Sequence, residues 1–510
     1  MSIDTDVLIA GAGMSGLGFA VQLVRKFGTQ SFELIEKADD VGGTWNINSY
    51  PGCGCDVPSH FYSYSFALNP HWSRKYSMQS EIQAYFRSVA DRYNIIPHIR
   101  FHSTVETATW EEESSTWLIS IKDTRTGAMQ QRRSRVFISA VGALSVPKEC
   151  EIPGAEDFKG HIFHSSRWDH SFKWADKDVV VLGNGCSATQ FVPILTTGPS
   201  PVHHLTQFAR QAHFLAARID FAYSSSFKSL MRYMPLAMRL YRAKLYADME
   251  RDFAGFDITT GASIREGLKQ ENRAYVEQMA PERYVEALVP RTTIGCKRKV
   301  LDTGYLACLH SKNMKLVADD PVVGIEEEGV VTEAGRKVKA DAIVLATGFA
   351  THQMLFPMEI RGREGVSLND HWEKESAGAP SAYFGTCVPS FPNFFILMGP
   401  NTVTGHLSVI YTVECQINFA LRLIAPILRS SRPSLLSSLL PSSSTVAVTA
   451  QAARYDSDWL QSRLTKLVWS SGCRTWALHP ETGQNIMMYP DPQYMFWLRS
   501  LWVRWGDFEY

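Results

Sequence analysis

Two glycine-rich turns carry the clearest chemistry in this chain. Gly11, Gly13 and Gly16 stand in Gly11-Ala12-Gly13-Met14-Ser15-Gly16, between the apolar run 7–10 and a helical apolar pattern over 17–23. In this order the first glycine permits a tight turn, the second lets backbone approach a pyrophosphate, and the third lets helix and strand pack closely. Free N–H groups at the helix start, around Ser15, offer partial positive charge to the phosphates. Glu36 ends the next strand, twenty residues after Gly16, where a carboxylate accepts hydrogen bonds from a ribose. The arrangement recurs in Gly183-Asn184-Gly185-Cys186-Ser187-Ala188, after the apolar run 179–182. Ala188 is small enough for the third position. No acid ends the following strand near 205–208; Thr206, Gln207 and Arg210 stand there instead. An arginine with hydroxyl and amide neighbours suits a 2′-phosphate, the alternative being that Arg210 only caps a loop. The first turn therefore reads as a site for FAD and the second as a site for NADPH. Two such turns in one chain predict an enzyme that passes electrons from nicotinamide to flavin.

Other reactive side chains are weaker candidates. Cys53 and Cys55 form a Cys-x-Cys near the expected flavin face, but redox exchange with a flavin uses a different spacing on a helix. His203 and His204 lie on a predicted strand without cysteine or carboxylate partners, so no metal site is expected.

The elements that position these groups follow from length and pattern. A chain of 510 residues predicts two or three domains and a sizeable core. The fold class is expected to be α/β, with two doubly wound, Rossmann-like dinucleotide-binding domains. The NADP domain is inserted into the FAD domain, and a helical insert is added. The expected divisions are 1–147 for the first part of the FAD domain and 148–215 for the first part of the NADP domain. A helical insert follows over 216–290, the NADP domain resumes over 291–335, and 336–510 completes the FAD domain. The buried strand 341–348 echoes 137–142 and is expected to return the chain to the FAD domain. Within the insert, apolar residues alternate irregularly with Arg232, Arg239, Arg242 and Lys244. That pattern fits a cap packed on the second domain, or a basic amphipathic surface meeting a membrane. Residues 430–444, rich in Ser, Pro and Leu, read as a surface excursion or linker.

Lys+Arg and Asp+Glu are both 51, so nothing points to a nucleic-acid partner. Apolar residues make up 45% and charged residues 20%, which excludes disorder. There is no apolar run of 18 residues, so no transmembrane segment is expected, and peripheral membrane contact stays open. Asp4 and Asp6 before the first apolar stretch argue against a secretory signal, and nine cysteines without Cys-x-x-Cys do not make a disulfide framework. A cytoplasmic protein is the expectation.

Two spaced patterns narrow the reading. The first is Gly42-Gly43-Thr44-Trp45, Tyr50-Pro51-Gly52 and Asp56; the second is Phe158-x-Gly160, His164 and Trp168-Asp169. Together with Gly295-Cys296-Lys297-Arg298, 302–305, 346–349 and 392–395, they resemble type I Baeyer–Villiger monooxygenases. These are the ketone-oxidising branch of the class B flavoprotein monooxygenases. The resemblance covers essentially the whole chain. It implies FAD and NADP as cofactors, molecular oxygen and a small-molecule substrate, an apolar ketone, converted to an ester or lactone. It assigns Asp56 and Arg298 as the pair beside the flavin, Thr44, Trp45 and Tyr62 as flavin contacts, and Val105 as a backbone neighbour of the adenine. His164 is implied to be structural. The chemistry of the pair agrees. Reduced flavin and oxygen give a C4a-peroxide that must stay anionic to attack a carbonyl, and a guanidinium supplies charge that is not lost at working pH. Asp56 would hold that guanidinium and could orient the nicotinamide. After Gly399-Pro400 the chain departs from many ketone-oxidising relatives with Asn401-Thr402-Val403-Thr404-Gly405-His406, so the substrate is not carried over. Enzymes of the same class that oxidise nitrogen or sulfur or hydroxylate remain alternatives, as do a flavin reductase and an inactive flavin-binding protein. Aromatic residues at 12% are compatible with a bulky apolar substrate, as in secondary metabolism.

Overall fold

The computed structural model describes residues 2–430, 443–472 and 475–510. Two sheets organise it, each built around one glycine turn. Strand Thr5–Ala10 is buried on both faces and pairs in parallel with Phe32–Ile35 and Met129–Ser139, with Val7 opposite Phe32 and Val136. Its unbroken apolar run 7–10 is stable only where layers cover it on both sides. The eight-stranded sheet runs in the order Glu359–Arg361, Ser103–Glu111, Thr116–Asp123, Met129–Ser139, Thr5–Ala10, Phe32–Ile35 and Ile99–Arg100. Phe394–Ile396 also pairs with Met129–Ser139. Helix Met14–Phe27 lies against it and stops at Gly28, whose φ of 60° closes a bond from its N–H to the Val24 carbonyl.

The second sheet has five parallel strands in the order Met314–Val317, His204–Phe208, Asp178–Leu182, Ala342–Leu345 and His161–His164. This corrects one expectation. Strand Ala342–Leu345 does not return the chain to the first sheet but pairs on both sides within the second, so the division at 336 falls too early. A fully buried apolar parallel strand reads the same whichever sheet takes it, and only pairing decides.

The helical insert comprises Ser225–Tyr233, Pro235–Glu250, Ala262–Met279 and Val285–Leu288. Ser224 caps the first helix by accepting from the Phe227 N–H at 3.2 Å, and Pro235 opens the second where no N–H is needed. The insert does not rest on the second domain alone. Arg242 donates to the His60 carbonyl and, at 2.8 Å, to Ser63 Oγ, while Tyr246 stacks on Tyr411. A guanidinium carried into the interior must find acceptors, and the segment 60–63 supplies them. Farther on, Asn272 donates to the Leu215 carbonyl at 2.7 Å and Tyr275 to Asp302 at 3.0 Å. The insert thus contacts both the 60–63 segment of the first domain and the strand pair Leu215–Ala217 and Val300–Asp302. Of the Ser- and Pro-rich stretch, residues 431–442 lie outside the described residues. Among the described residues seven cysteines are free, and Cys296 is disulfide-bonded.

Candidate active site

The first turn is built as its spacing predicts. Gly11 has a φ of 102°, and a Cβ there would lie 2.7 Å from the Ala140 carbonyl oxygen; a Cβ on Gly16 would lie 1.9 Å from that of Gly11. Ser15 is buried at the helix start. Glu36 is 4% exposed, and its carboxylate accepts from the Ala12 N–H at 2.7 Å and the Ala38 N–H at 2.9 Å. Both oxygens are thereby fixed at the turn, with lone pairs left for ribose hydroxyls. Ser103 donates to the Glu36 carbonyl at 2.9 Å, which brings Val105 alongside. Val105 lies near the beginning of strand Ser103–Glu111.

Gly43 faces Gly13 so closely that a Cβ on Gly43 would stand 2.9 Å from Gly13 Cα. Thr44 opens the short helix Thr44–Ile47, and the buried Trp45 donates from Nε1 to Tyr62 Oη at 2.9 Å. Their rings meet edge-on at 5.6 Å, so the two expected flavin contacts form one rigid wall.

In the second crevice Gly183, with a φ of 111°, donates to the Phe208 carbonyl at 2.9 Å. Gln207 is a structural residue, correcting the place given it beside a 2′-phosphate. It is fully buried, donates to the Gly183 carbonyl at 2.8 Å and accepts from Tyr305 at 2.8 Å. Thr206 is buried too, whereas Arg210 is exposed just past the strand. Lys297 joins Arg210 there: burial and then the Arg210 charge lower its pKa, and it donates to Gln211. Around Gly185 the nearest atom to an added Cβ is His213 Nε2 at 4.0 Å, an open cradle; Ser187 and Ala188 begin helix Ala188–Thr197 behind it.

Both crevices fit a dinucleotide on the structure's own terms. Ser139 Oγ, beside the first turn, and Thr347 Oγ1, beside the second, are buried without a hydrogen-bond partner. Each is thereby available to pair with a polar group that a bound dinucleotide would bring to its turn. The crevices are locked together by Gln190 on the second domain, which accepts from Tyr50 Oη at 3.0 Å and donates to the Gly54 carbonyl at 3.0 Å. Gly52 permits this approach, since its Cβ would lie 2.7 Å from the Gln190 carbonyl.

Between the crevices lies the pair expected from the motifs. Arg298 donates from Nε to Asp56 Oδ2 at 2.7 Å and from Nη2 to Oδ1 at 3.0 Å, a bidentate grip. The side chains are 27% and 30% exposed, so the pair is reachable yet shielded. The Asp56 charge holds the guanidinium well above its ordinary pKa. The pair lines a cavity of about 300 Å³ whose other walls include Leu245, Met249, Phe256 and Leu268 of the insert.

Burial pushes the Cys53 thiol up to about 12 and raises Cys55 further, so neither supplies a thiolate at neutral pH. His164 accepts at Nδ1 from the Ser166 N–H at 3.1 Å, and burial lowers its pKa. It is not among the residues that line the cavity beside Asp56 and Arg298. One pairing escaped the sequence reading: His406, on the wall of the same cavity, has its Nε2 3.1 Å from Glu250 Oε2. Gly405-His406 marked a departure in the sequence, but no spacing links it to residue 250.

The family model described as Flavin-binding monooxygenase-like matches residues 4–197. A Baeyer-Villiger monooxygenase of Pseudomonas aeruginosa is 33% identical over 95% of this chain and 87% of its own length. Another from Streptomyces coelicolor is 35% identical over 95% and 88%. A steroid monooxygenase solved with NADP superposes with a TM-score of 0.82 at 26% identity, covering 99% of both chains. The closed form of cyclohexanone monooxygenase reaches 0.84 at 23% identity, over 100% of this chain and 99% of its own, which is a likeness of fold. With relatives 33% and 35% identical over 95% of its length, the chain belongs to the Baeyer–Villiger monooxygenases, within the class B flavoprotein monooxygenases.

Proposed function

We propose that this chain uses FAD, NADPH and molecular oxygen to convert an apolar ketone into an ester or lactone. The observation that carries the reading is the bidentate Asp56–Arg298 grip set on a cavity with an apolar flank at Leu245, Met249, Phe256 and Leu268, between two dinucleotide cradles. Bound FAD and NADPH would supply the redox chemistry, two electrons and activated oxygen, with one oxygen atom going to the substrate and the other to water. The turn at Gly11, Gly13, Ser15 and Gly16, with Glu36, Thr44, Trp45, Tyr62 and Val105, would hold FAD. Gly183, Gly185, Ser187 and Ala188 would hold the NADPH pyrophosphate, and Arg210 with Lys297 its 2′-phosphate. Arg298 keeps a positive charge where negative charge gathers on the carbonyl oxygen, and Asp56 fixes the plane of that guanidinium. Leu245, Met249, Phe256 and Leu268 would offer an apolar flank against which such a substrate could lie beside that charge.

The test is turnover of the FAD-loaded protein with NADPH and ¹⁸O₂ across a panel of ketones, amines and sulfides. An ester or lactone with one labelled oxygen is expected. Labelled N-oxides, sulfoxides or alcohols without any ester would replace ketone oxidation with heteroatom oxidation or hydroxylation. NADPH consumption with no labelled product from any of them would overturn the reading.

A further inference from the structure

The tip of the helical hairpin formed by Ser225–Tyr233 and Pro235–Glu250 serves none of the contacts described above. Leu230, Tyr233, Met234, Leu236 and Leu240 there are 47%, 71%, 55%, 66% and 62% exposed. On the second helix Leu236, Leu240, Ala243 and Ala247 recur at helical spacing on the outward face, while Met238 and Leu245 are buried. Single apolar residues scattered over a surface need no explanation, but a contiguous run does.

The charge around this patch is one-sided. The whole chain is balanced, yet residues 221–247 hold Lys228, Arg232, Arg239, Arg242 and Lys244 and no carboxylate. Arg242 is consumed by His60 and Ser63, and Lys244 pairs with Asp248. Lys228, Arg232 and Arg239 form no ion pair among the described residues, and Arg232 lies over the Tyr233 ring at 5.4 Å.

We propose that this hairpin tip is a membrane-surface contact that seats the enzyme on anionic phospholipid head groups. Its apolar side chains would enter the boundary of the acyl region, Tyr233 would sit at head-group level, and the cations would reach the phosphates. A second copy is a poor occupant, because a two-fold contact through this patch would set the three cations against themselves. The surface extends beyond the hairpin. Gln493 donates from its backbone to Glu250 at 2.7 Å, so helix Gln493–Leu501 starts at the end of the hairpin, and its Tyr494 and Trp497 are exposed. The hairpin's inner side carries Leu245 and Met249 of the cavity wall. Under the proposed ketone oxidation, a substrate dissolved in lipid would have a short route to Arg298; the membrane contact itself does not rest on that reading.

The test is co-sedimentation of the full-length, FAD-loaded protein with two kinds of vesicle, pure phosphatidylcholine and equal parts phosphatidylcholine and phosphatidylserine. Each basic side chain at an anionic surface is worth roughly fivefold in partitioning, so three give about a hundredfold preference for the mixed vesicles, weakening with salt. The double variant Arg232→Glu/Arg239→Glu should abolish that preference. Leu236→Ser/Leu240→Ser should weaken binding with NADPH oxidation in free solution unchanged. Should one pair fail to fold, the other reports on the same surface. Equal binding to both vesicles would overturn the role of anionic lipid. Absence of binding to either would overturn the contact altogether, as would a dimer in light scattering that these substitutions dissociate.

Discussion

Replacing Arg298 by Ala is the sharpest perturbation of the site. The wild-type guanidinium makes two bonds to Asp56, at 2.7 and 3.0 Å, and Arg298 lines the cavity. Removal of one preorganised donor at a developing oxyanion costs roughly 10²–10³ in kcat. At 27% exposure, water partly replaces the lost charge, so the expected loss of ester or lactone lies near the lower figure, about 10²-fold. Arg298→Lys keeps a charge but not the fork, and about a tenfold loss is expected. The assay follows NADPH consumption, hydrogen peroxide release and product in parallel, with melting temperature as a control for folding. The alanine variant should still consume NADPH, but return its electrons as hydrogen peroxide. Product per NADPH equal to that of the parent would refute the role given to Arg298.

Arg210→Ala should raise KM for NADPH by roughly tenfold to a hundredfold, the worth of a charge-assisted bond, with little change for NADH. Equal loss for both would remove the 2′-phosphate from the argument. Two glycines should separate fold from ligand. Gly16→Ala puts Cβ 1.9 Å from a backbone oxygen and should lose FAD and thermal stability together, while Gly185→Ala, in an open cradle, should melt normally yet bind NADPH poorly; calorimetry and NADPH titration distinguish them. The buried thiols predict a pH trend. Cys53 ionises near 12 when folded and near 8.5 when unfolded, so its contribution is fully present below about pH 8.5 and falls as pH rises toward 12. Cys53→Ser should flatten this alkaline loss of stability in melts and leave NADPH oxidation intact at neutral pH; lost oxidation would restore a redox role.

Both glycine turns, Glu36 and the cofactor class were legible in the sequence because a strand, turn and helix lie within about 30 residues and fix their own geometry. The Gly-x-Trp and aromatic-Pro-Gly patterns were legible for the same reason. Pairings across the chain were not. Arg298 reads locally as one member of a basic run, and only the motif resemblance singled it out; its two bonds to Asp56 span 242 positions. Gln207 was misread because a buried amide serving the turn has the same sequence signature as one facing a ligand. Strand Ala342–Leu345 was assigned to the wrong sheet because its apolar pattern states that it is buried, not beside which strand. Gln190 against Tyr50, and His406 against Glu250, carry no local signal at all. Turn chemistry is short-range and written residue by residue, whereas the closing of the cavity over Arg298 arises from packing between elements hundreds of residues apart, which only the tertiary structure decides.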